Sequence, residues 1–240
     1  MYRAIFLWVT LFVMTGCGHP TPQNVIAYRI QKPKKSTSKT AVKEVGLKRR
    51  EIVPTIMIDP GHGGYDPGAF NHHIEEKDAC LRCAKLLRKH LEKMGYHVIL
   101  TRSQDVFIPL QRRADMANQA HSQLFVSLHF NSAPNKAAKG IEIYYAAKAE
   151  SWRLKRAKEA AKLVLDSILT HTKAESRGVK GGDFLVIRET KMPSILIEAG
   201  FITNDEERKK IADERYLNTL AVSIAEGVDS YFDTISKNGL

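Results

Sequence analysis

The stretch Ile56-Met57-Ile58-Asp59-Pro60-Gly61-His62-Gly63-Gly64 decides the fold of this chain. Its first three residues are an apolar run with the length and composition of a buried strand, which Asp59-Pro60-Gly61 then ends. The glycines allow a tight turn that holds the imidazole of His62 at the end of the strand. The stretch therefore predicts a buried strand followed by a loop that presents a histidine.

Beyond this stretch, short apolar runs alternate with amphipathic segments of helical period. The further predicted strands are 98–100, 124–128, 141–145, 184–187 and 194–197, and the predicted helices are 76–93, 109–120, 150–171, 203–211 and 216–232. We expect Thr203 and Glu206 to form a capping box at the start of the fourth of these helices. Such alternation predicts a single α/β domain over residues 52–240, with a largely parallel twisted sheet of about six strands flanked by helices.

The first 51 residues have a different character. Residues 1–16 combine Arg3 with a short apolar run and end in Gly16 before Cys17, which is typical of a lipoprotein signal peptide. The run is too short to span a bilayer as a permanent helix. We predict that Cys17 carries a lipid and that residues 17–51 are a basic, disordered tether, because they lack apolar periodicity.

The formal net charge of the 240-residue chain is +11, and much of it lies in one segment. Residues 31–50 hold eight Lys and Arg residues against one Glu. A basic segment favours an anionic polymer or a membrane surface as partner. No recognition motif and no interleaving of basic and aromatic residues supports nucleic-acid binding, so we expect none.

Four polar residues are predicted to meet at the carboxyl edge of the sheet, where the sites of such folds lie. His62, His129 and Glu198 each stand at the end of an apolar run, and Glu76 begins the first helix of the domain. Catalytic zinc often takes two His and one Glu and keeps a fourth position for water. A histidine at a strand end is more often a structural residue, so the positions alone leave both interpretations open.

Seven ordered segments decide between these interpretations, because together they resemble the zinc-dependent N-acetylmuramoyl-L-alanine amidases of the type-3 family. The segments span most of residues 55–231 and are 58–64 with 66–69, 76–77, 100–102, Leu110 with Arg113 and 117–118, 127–129 with Asn131, 177–180, and 192–193 with 198–201 and 203–204. This number of matches in the family's order is highly specific.

The resemblance implies that His62, Glu76 and His129 bind one Zn²⁺ and that Glu198 is the general base and acid. It further implies cleavage of the amide bond between N-acetylmuramic acid and the L-alanine of the stem peptide in peptidoglycan. Arg113 and Asn131, which also match the family's pattern, are expected to bind substrate. We accordingly expect a periplasmic, membrane-anchored lipoprotein that acts as a monomer in cell-wall remodelling and daughter-cell separation.

Two alternatives to this function stay open at the level of sequence. The same ligand set suits a zinc carboxypeptidase acting on wall peptides, and the basic segment suits a non-catalytic wall-binding lipoprotein. Some amidases of the family carry an extra helix that blocks the site. Residues 140–177 have room for one strand and one helix only, so we expect no blocking helix here.

Three local alternatives concern single residues. Glu75 is a rival to Glu76 as ligand, although Glu76 directly precedes Lys77 as the family pattern requires. Cys80 and Cys83 form a C-x-x-C pair, but helical spacing predicts that both are buried core residues. Ser36 and Lys39 fit the Ser-x-x-Lys pattern of penicillin-binding enzymes without any Lys-Thr-Gly element, so a penicillin-sensitive side activity is a minor hypothesis.

Overall fold

A computed structural model gives the structure of residues 53–237 of the chain. The strands are β1 Thr55–Pro60, β2 Phe70–Asn71, β3 Ile74–Glu75, β4 His97–Leu100, β5 Leu124–Asn131, β6 Ile141–Ala146, β7 Ser176–Gly182 and β8 Ser194–Phe201. The helices are α1 Glu76–Lys93, α2 Leu110–Gln119, α3 Ser151–Thr172, α4 Leu185–Arg188, α5 Asp205–Ala212 and α6 Glu214–Lys237.

Six strands form one sheet in the order β4-β1-β5-β8-β6-β7, and β2 pairs with β3 in a separate hairpin. Strands β4, β1, β5 and β8 run parallel to one another. Strand β6 runs antiparallel to β8, and β7 runs parallel to β6. The predicted single α/β domain with a largely parallel six-stranded sheet is therefore confirmed.

Helices cover both faces of this sheet. On one face α6 packs against both α1 and α3, and these helices enclose the larger core, whereas α2 and α4 meet on the other face over a smaller core around Met57 and Phe125. In α1 the buried residues recur at helical spacing, and Leu87 and Leu91 have no exposed surface. Each such leucine contributes roughly 1.5–3 kcal/mol through burial. The helix ends before Gly95. This glycine adopts a positive φ of 95°, which turns the chain away from the helix axis.

One predicted strand is wrong. Residues 184–187 begin with Phe184 and continue into the single-turn helix α4, in which Val186 and Ile187 pack into the smaller core. A four-residue apolar run cannot distinguish a buried turn of helix from a buried strand. The sixth strand of the sheet is instead β7, whose sequence Ser-Arg-Gly-Val-Lys-Gly-Gly has three glycines and no alternation of apolar residues.

The predicted capping box is also wrong. Helix α5 begins at Asp205, and its N-cap is Asn204, whose side chain accepts hydrogen bonds from the backbone N–H groups of Glu206 and Glu207. The hydroxyl of Thr203 instead accepts a hydrogen bond from the backbone N–H of Ala133. The cap therefore uses an asparagine carbonyl in place of a threonine hydroxyl.

The segment between β6 and β7 contains α3 alone, as expected. Helix α3 packs on α6 and on β6, so within residues 53–237 no inserted helix lies over the predicted site. No helix in this described part of the chain is sufficiently long and apolar to span a membrane. The predicted signal peptide and tether, with Cys17, Ser36 and Lys39, lie outside the described residues.

Candidate metal centre and active site

Three of the predicted residues come together at the carboxyl edge of the sheet. The Nε2 atom of His62 lies 3.1 Å from Oε1 of Glu76, and Nδ1 of His129 lies 2.9 Å from the same oxygen. One ligand atom from each residue lies within 4.8 Å of the other two. They meet because β1 and β5 are parallel neighbours, so the residues at and beyond their carboxyl ends share one edge of the sheet.

The loop after β1 orients His62. This residue has a φ of 58°, and its Nδ1–H donates a hydrogen bond of 2.9 Å to the carboxylate of Asp66. The other oxygen of Asp66 accepts a hydrogen bond from the backbone N–H of Gly68. A carboxylate on one ring nitrogen fixes the tautomer and leaves the lone pair of the other nitrogen, Nε2, directed at the centre.

Glu76 is buried and held at both carboxylate oxygens. Oε2 accepts a hydrogen bond from the backbone N–H of Ala69, and Oε1 accepts one from that of Phe130. Burial raises the pKa of Glu76, but the hydrogen bonds with His129 and His62 outweigh it and hold the pKa well below its ordinary value. Its neighbour Glu75 forms an ion pair with Lys77 at 3.3 Å and is not part of the cluster. The geometry thus favours Glu76 over its rival.

This donor set fits a tetrahedral zinc ion. At metal-to-ligand distances of about 2.0–2.1 Å, neighbouring ligand atoms of a tetrahedron lie about 3.3 Å apart. The two nitrogen-to-oxygen distances at Glu76 are close to that value. Two imidazoles and one ionised carboxylate leave a fourth position free, as catalytic zinc sites require.

Glu198 lies beside this cluster. On β8 it is the register partner of His129 on β5, and its side chain lines the same cavity. Its Oε2 atom is buried and finds no hydrogen-bond partner within residues 53–237. Burial raises the pKa of Glu198 to about 7, and His129 opposes this effect only in part. A carboxyl group with a pKa near neutrality suits proton transfer in both directions.

A cavity of about 340 Å³ connects these groups. Its lining combines the polar residues His62, Glu76, His129 and Glu198 with the apolar residues Leu110, Phe130, Phe184, Leu185, Val186 and Leu196. Leu110 and Phe184 are partly exposed to solvent. The cavity is therefore suited to a substrate with an apolar surface next to a hydrolysable bond.

Arg113 is not among the residues that line the cavity. Its guanidinium is buried, lies 2.9 Å from the carboxylate of Asp59, and donates to the backbone carbonyls of Pro60, His62 and Ile108 at 2.6–2.8 Å. Because its donors are directed at these internal groups, Arg113 supports the loop of His62. Direct substrate binding by Arg113 stays a prediction.

Asn131 lines the cavity, but its polar atoms have partners. The side-chain N–H donates to Glu142 at 2.9 Å, and the side-chain oxygen accepts from the backbone N–H of Ser132. Direct substrate binding by Asn131 remains a prediction. Sequence reasoning missed Glu142 altogether, although a single acidic residue within the apolar strand Ile141–Ala146 is a signal, because buried carboxylates need partners.

The remaining candidates lie away from the centre. The histidines His72, His73 and His97 are exposed and do not belong to the cluster. Cys80 and Cys83 are free and buried in the larger core, and burial raises the pKa of both thiols. Their predicted role as core residues is confirmed.

Residues 56–230 match the Amidase_3 family, described as N-acetylmuramoyl-L-alanine amidase. The chain belongs to this amidase family. It is 32% identical to the N-acetylmuramoyl-L-alanine amidase AmiA of Escherichia coli over 81% of this chain and 80% of AmiA. It is 35% identical to the amidase LytC of Bacillus subtilis over 78% of this chain, although the match spans only 37% of LytC.

Solved structures of this amidase family share the fold. A crystal structure of an N-acetylmuramoyl-L-alanine amidase from Clostridium difficile is 40% identical, covers 76% of this chain and 98% of its own, and superposes with a TM-score of 0.72. This amidase chain therefore has the family's α/β fold over the part that contains His62, Glu76, His129 and Glu198.

Proposed function

We propose that this protein is a zinc-dependent hydrolase that cleaves the amide bond between the lactyl group of N-acetylmuramic acid and L-alanine in peptidoglycan. One observation carries the proposal: in a member of the amidase family, the cluster of His62, Glu76 and His129 shares a cavity with the unpartnered carboxylate of Glu198. Amide hydrolysis needs a polarised carbonyl and a group that moves a proton, and this cavity provides residues for both.

The chain's own groups have separate tasks in the reaction. Zn²⁺ bound by His62, Glu76 and His129 would polarise the amide carbonyl and acidify a water molecule. Glu198 takes a proton from the attacking water and later returns it to the nitrogen of L-alanine, so that the C–N bond breaks with release of a neutral amine. The apolar wall with Leu110 and Phe184 limits the access of other water molecules.

The test uses defined muropeptides and follows the release of free peptide and free glycan. Wild-type protein is compared with Glu198→Gln and with wild type treated with a chelator. We expect cleavage between the lactyl group and L-alanine, a fall in kcat of about 10²–10⁴-fold in the variant, and restoration of the chelated enzyme by Zn²⁺. Zinc bound to Glu198→Gln with unchanged affinity would separate catalysis from metal binding.

The carboxypeptidase alternative predicts a different product from the same assay. Release of D-alanine with the lactyl amide intact would favour it over the amidase. If nothing is cleaved although zinc is bound, a non-catalytic wall-binding role becomes the better account. Because no blocking helix lies over the site in residues 53–237, we expect the purified protein to be active without an added activator.

The N-terminal prediction is a separate proposal. We infer that Cys17 is lipidated and that residues 17–51 tether the domain to the membrane on the periplasmic side, where it takes part in wall remodelling and daughter-cell separation as a monomer. Cys17→Ala should move the protein from the membrane fraction to the soluble fraction. Light scattering of the purified variant should give a monomer, and loss of the protein in its source cell should produce unseparated chains of cells.

A further inference from the structure

A second cluster of charges lies next to the catalytic carboxylate. Its centre is Glu142 on β6, which is buried and accepts hydrogen bonds from Nδ2 of Asn131 at 2.9 Å and the hydroxyl of Tyr144 at 2.8 Å. Its second oxygen accepts from Nε of Arg177 at 3.0 Å and from Nζ of Lys180 at 2.5 Å. Both cations stand on β7, the edge strand that the sequence did not predict.

The register of the sheet places this cluster in line with the site. Glu198 is the partner of His129 on one side and of Glu142 on the other, and Glu142 is in turn the partner of Gly178 on β7. Partner residues in a sheet direct their side chains to the same face. A line of side chains therefore runs from a metal ligand through the catalytic carboxylate to the two cations.

The far end of this line is open. A Cβ atom on Gly178 would have no neighbour within 4 Å, so there is open space at this glycine, which lies on β7 next to Arg177 and two residues before Lys180. Adjacent strands lie about 4.8 Å apart, which puts β7 roughly 10 Å from Glu198. Two extended residues of a bound peptide span about 7 Å. The cations thus stand within reach of the second residue after the hydrolysed bond.

The cluster contains two positive charges, Arg177 and Lys180, and one negative charge, Glu142. A single cation would neutralise Glu142, but two are present, and both remain partly exposed, with 35% of the Arg177 side chain and 41% of the Lys180 side chain accessible. The guanidinium of Arg177 is held further by the carbonyl of Lys139 and the ring of Phe201. The ammonium group of Lys180 has three donors, and one of them is used by Glu142. One additional carboxylate would complete the set of charges.

We propose that Lys180, supported by Arg177, binds a free carboxylate on the second residue of the stem peptide. The proposal rests on the proposed function and names the form of its substrate. In peptidoglycan the residue after L-alanine is joined to the next residue through its side chain, and its α-carboxylate is free in some walls and amidated in others. The enzyme would then prefer stem peptides with a free carboxylate at this position.

Two muropeptides that differ only in this group, carboxylate or amide, test the proposal. With wild type we expect kcat/KM for the carboxylate form to exceed that for the amide form about tenfold. The reason is that a hydrogen bond between an ammonium group and a carboxylate is stronger than one between an ammonium group and a neutral amide. Lys180→Met should remove this preference by raising KM for the carboxylate form about tenfold while kcat stays within about twofold. The matched control is Lys162→Met, which removes an exposed lysine from α3 and should keep the preference.

A second readout separates this proposal from the amidase assignment. Binding of the two muropeptides to zinc-loaded Glu198→Gln, measured by titration calorimetry, should show the same tenfold preference and its loss in the Glu198→Gln, Lys180→Met double variant. Equal affinity for both muropeptides overturns the carboxylate site even if cleavage occurs. Preferential binding without any cleavage by wild type supports the carboxylate site and overturns the amidase. Thermal melting of each lysine variant checks that the fold is retained.

Discussion

The guanidinium of Arg113 lies 2.9 Å from the carboxylate of Asp59, and both side chains are almost completely buried. The same carboxylate accepts hydrogen bonds from the hydroxyls of Thr101 and Ser127, so each of its oxygens has a partner. Arg113 in turn donates to the carbonyl of His62 at 2.6 Å. This buried pair therefore links the centre of the sheet to the loop that carries His62, one of the three proposed metal ligands.

Replacement of Arg113 by Met should destabilise the fold strongly. The change leaves the charge of Asp59 buried without its cation, and breaking a buried pair in this way costs about 3–5 kcal/mol. We expect this loss in the free energy of unfolding from denaturant titration. Asp59→Asn in the Arg113→Met background should recover part of it. Replacement of Arg88 on the exposed face of α1 serves as control and should leave the midpoint nearly unchanged.

Asp66→Asn should weaken metal binding more than it weakens the fold. An asparagine no longer fixes the tautomer of His62, and loss of such a supporting carboxylate typically costs about 10–100-fold in metal affinity. Competition with a chromogenic chelator measures this affinity. Asp78→Asn removes an equal charge from the exposed face of α1 and should change the affinity less than about twofold. Equal effects of the two variants would show that only the net charge matters.

Gly61→Ala should also impair metal binding, in this case through a steric clash. A Cβ atom on Gly61 would lie 2.3 Å from Cε1 and 2.6 Å from Nδ1 of His129, so the imidazole must move away from Glu76. We expect zinc affinity to fall by about tenfold or more. Gly181→Ala, whose Cβ meets mainly the methyl group of Ala147 at 3.0 Å, is the matched control and should bind zinc as wild type does.

Glu198→Gln should stabilise the metal-free protein at high pH. The pKa of Glu198 is raised from 4.5 to about 7 in the folded state, chiefly by burial. Below 4.5 both states are protonated and the residue adds no pH dependence. Between 4.5 and 7 the unfolded chain releases its proton first, so wild type loses stability as the pH rises, by roughly 3 kcal/mol in all.

The glutamine variant lacks this loss. With chelator present, its free energy of unfolding should therefore match that of wild type near pH 4 and exceed it at about pH 8. A constant difference at the two pH values would mean that Glu198 has an ordinary pKa.

The sequence predicts those parts of the fold in which one pattern extends over many residues. Helix α1 was predicted with the bounds that the structure gives, because its apolar residues keep helical spacing over five turns. Strand β7 was missed because an edge strand with three glycines buries little apolar surface. The sequence predicts a strand at helix α4 because its four residues are too few to show the repeat of apolar positions that identifies a helix.

Position in the sequence makes His62, His129 and Glu198 candidates at strand ends and Glu76 a candidate at a helix start, but only the resemblance to the amidase family implies their roles. All four line one cavity in the structure. For Arg113 a matching motif gives the position of the residue but not the direction of its side chain, which the structure turns towards Asp59 and the loop of His62. The role of Glu142 depends on β6 running antiparallel to β8, and no local pattern in the sequence states that orientation.

The four central residues of the cavity come from four separate elements of the chain, and this has a consequence for folding kinetics. Before β1, β5 and β8 have paired, His62, His129 and Glu198 are separated by long flexible loops, and closing them costs entropy. An unfolded chain therefore offers no preformed chelate, and a zinc site built from these residues would form only after the non-local pairing is complete. The activity proposed for this chain would then appear only together with the finished sheet, so that a nascent or misfolded copy would be inert.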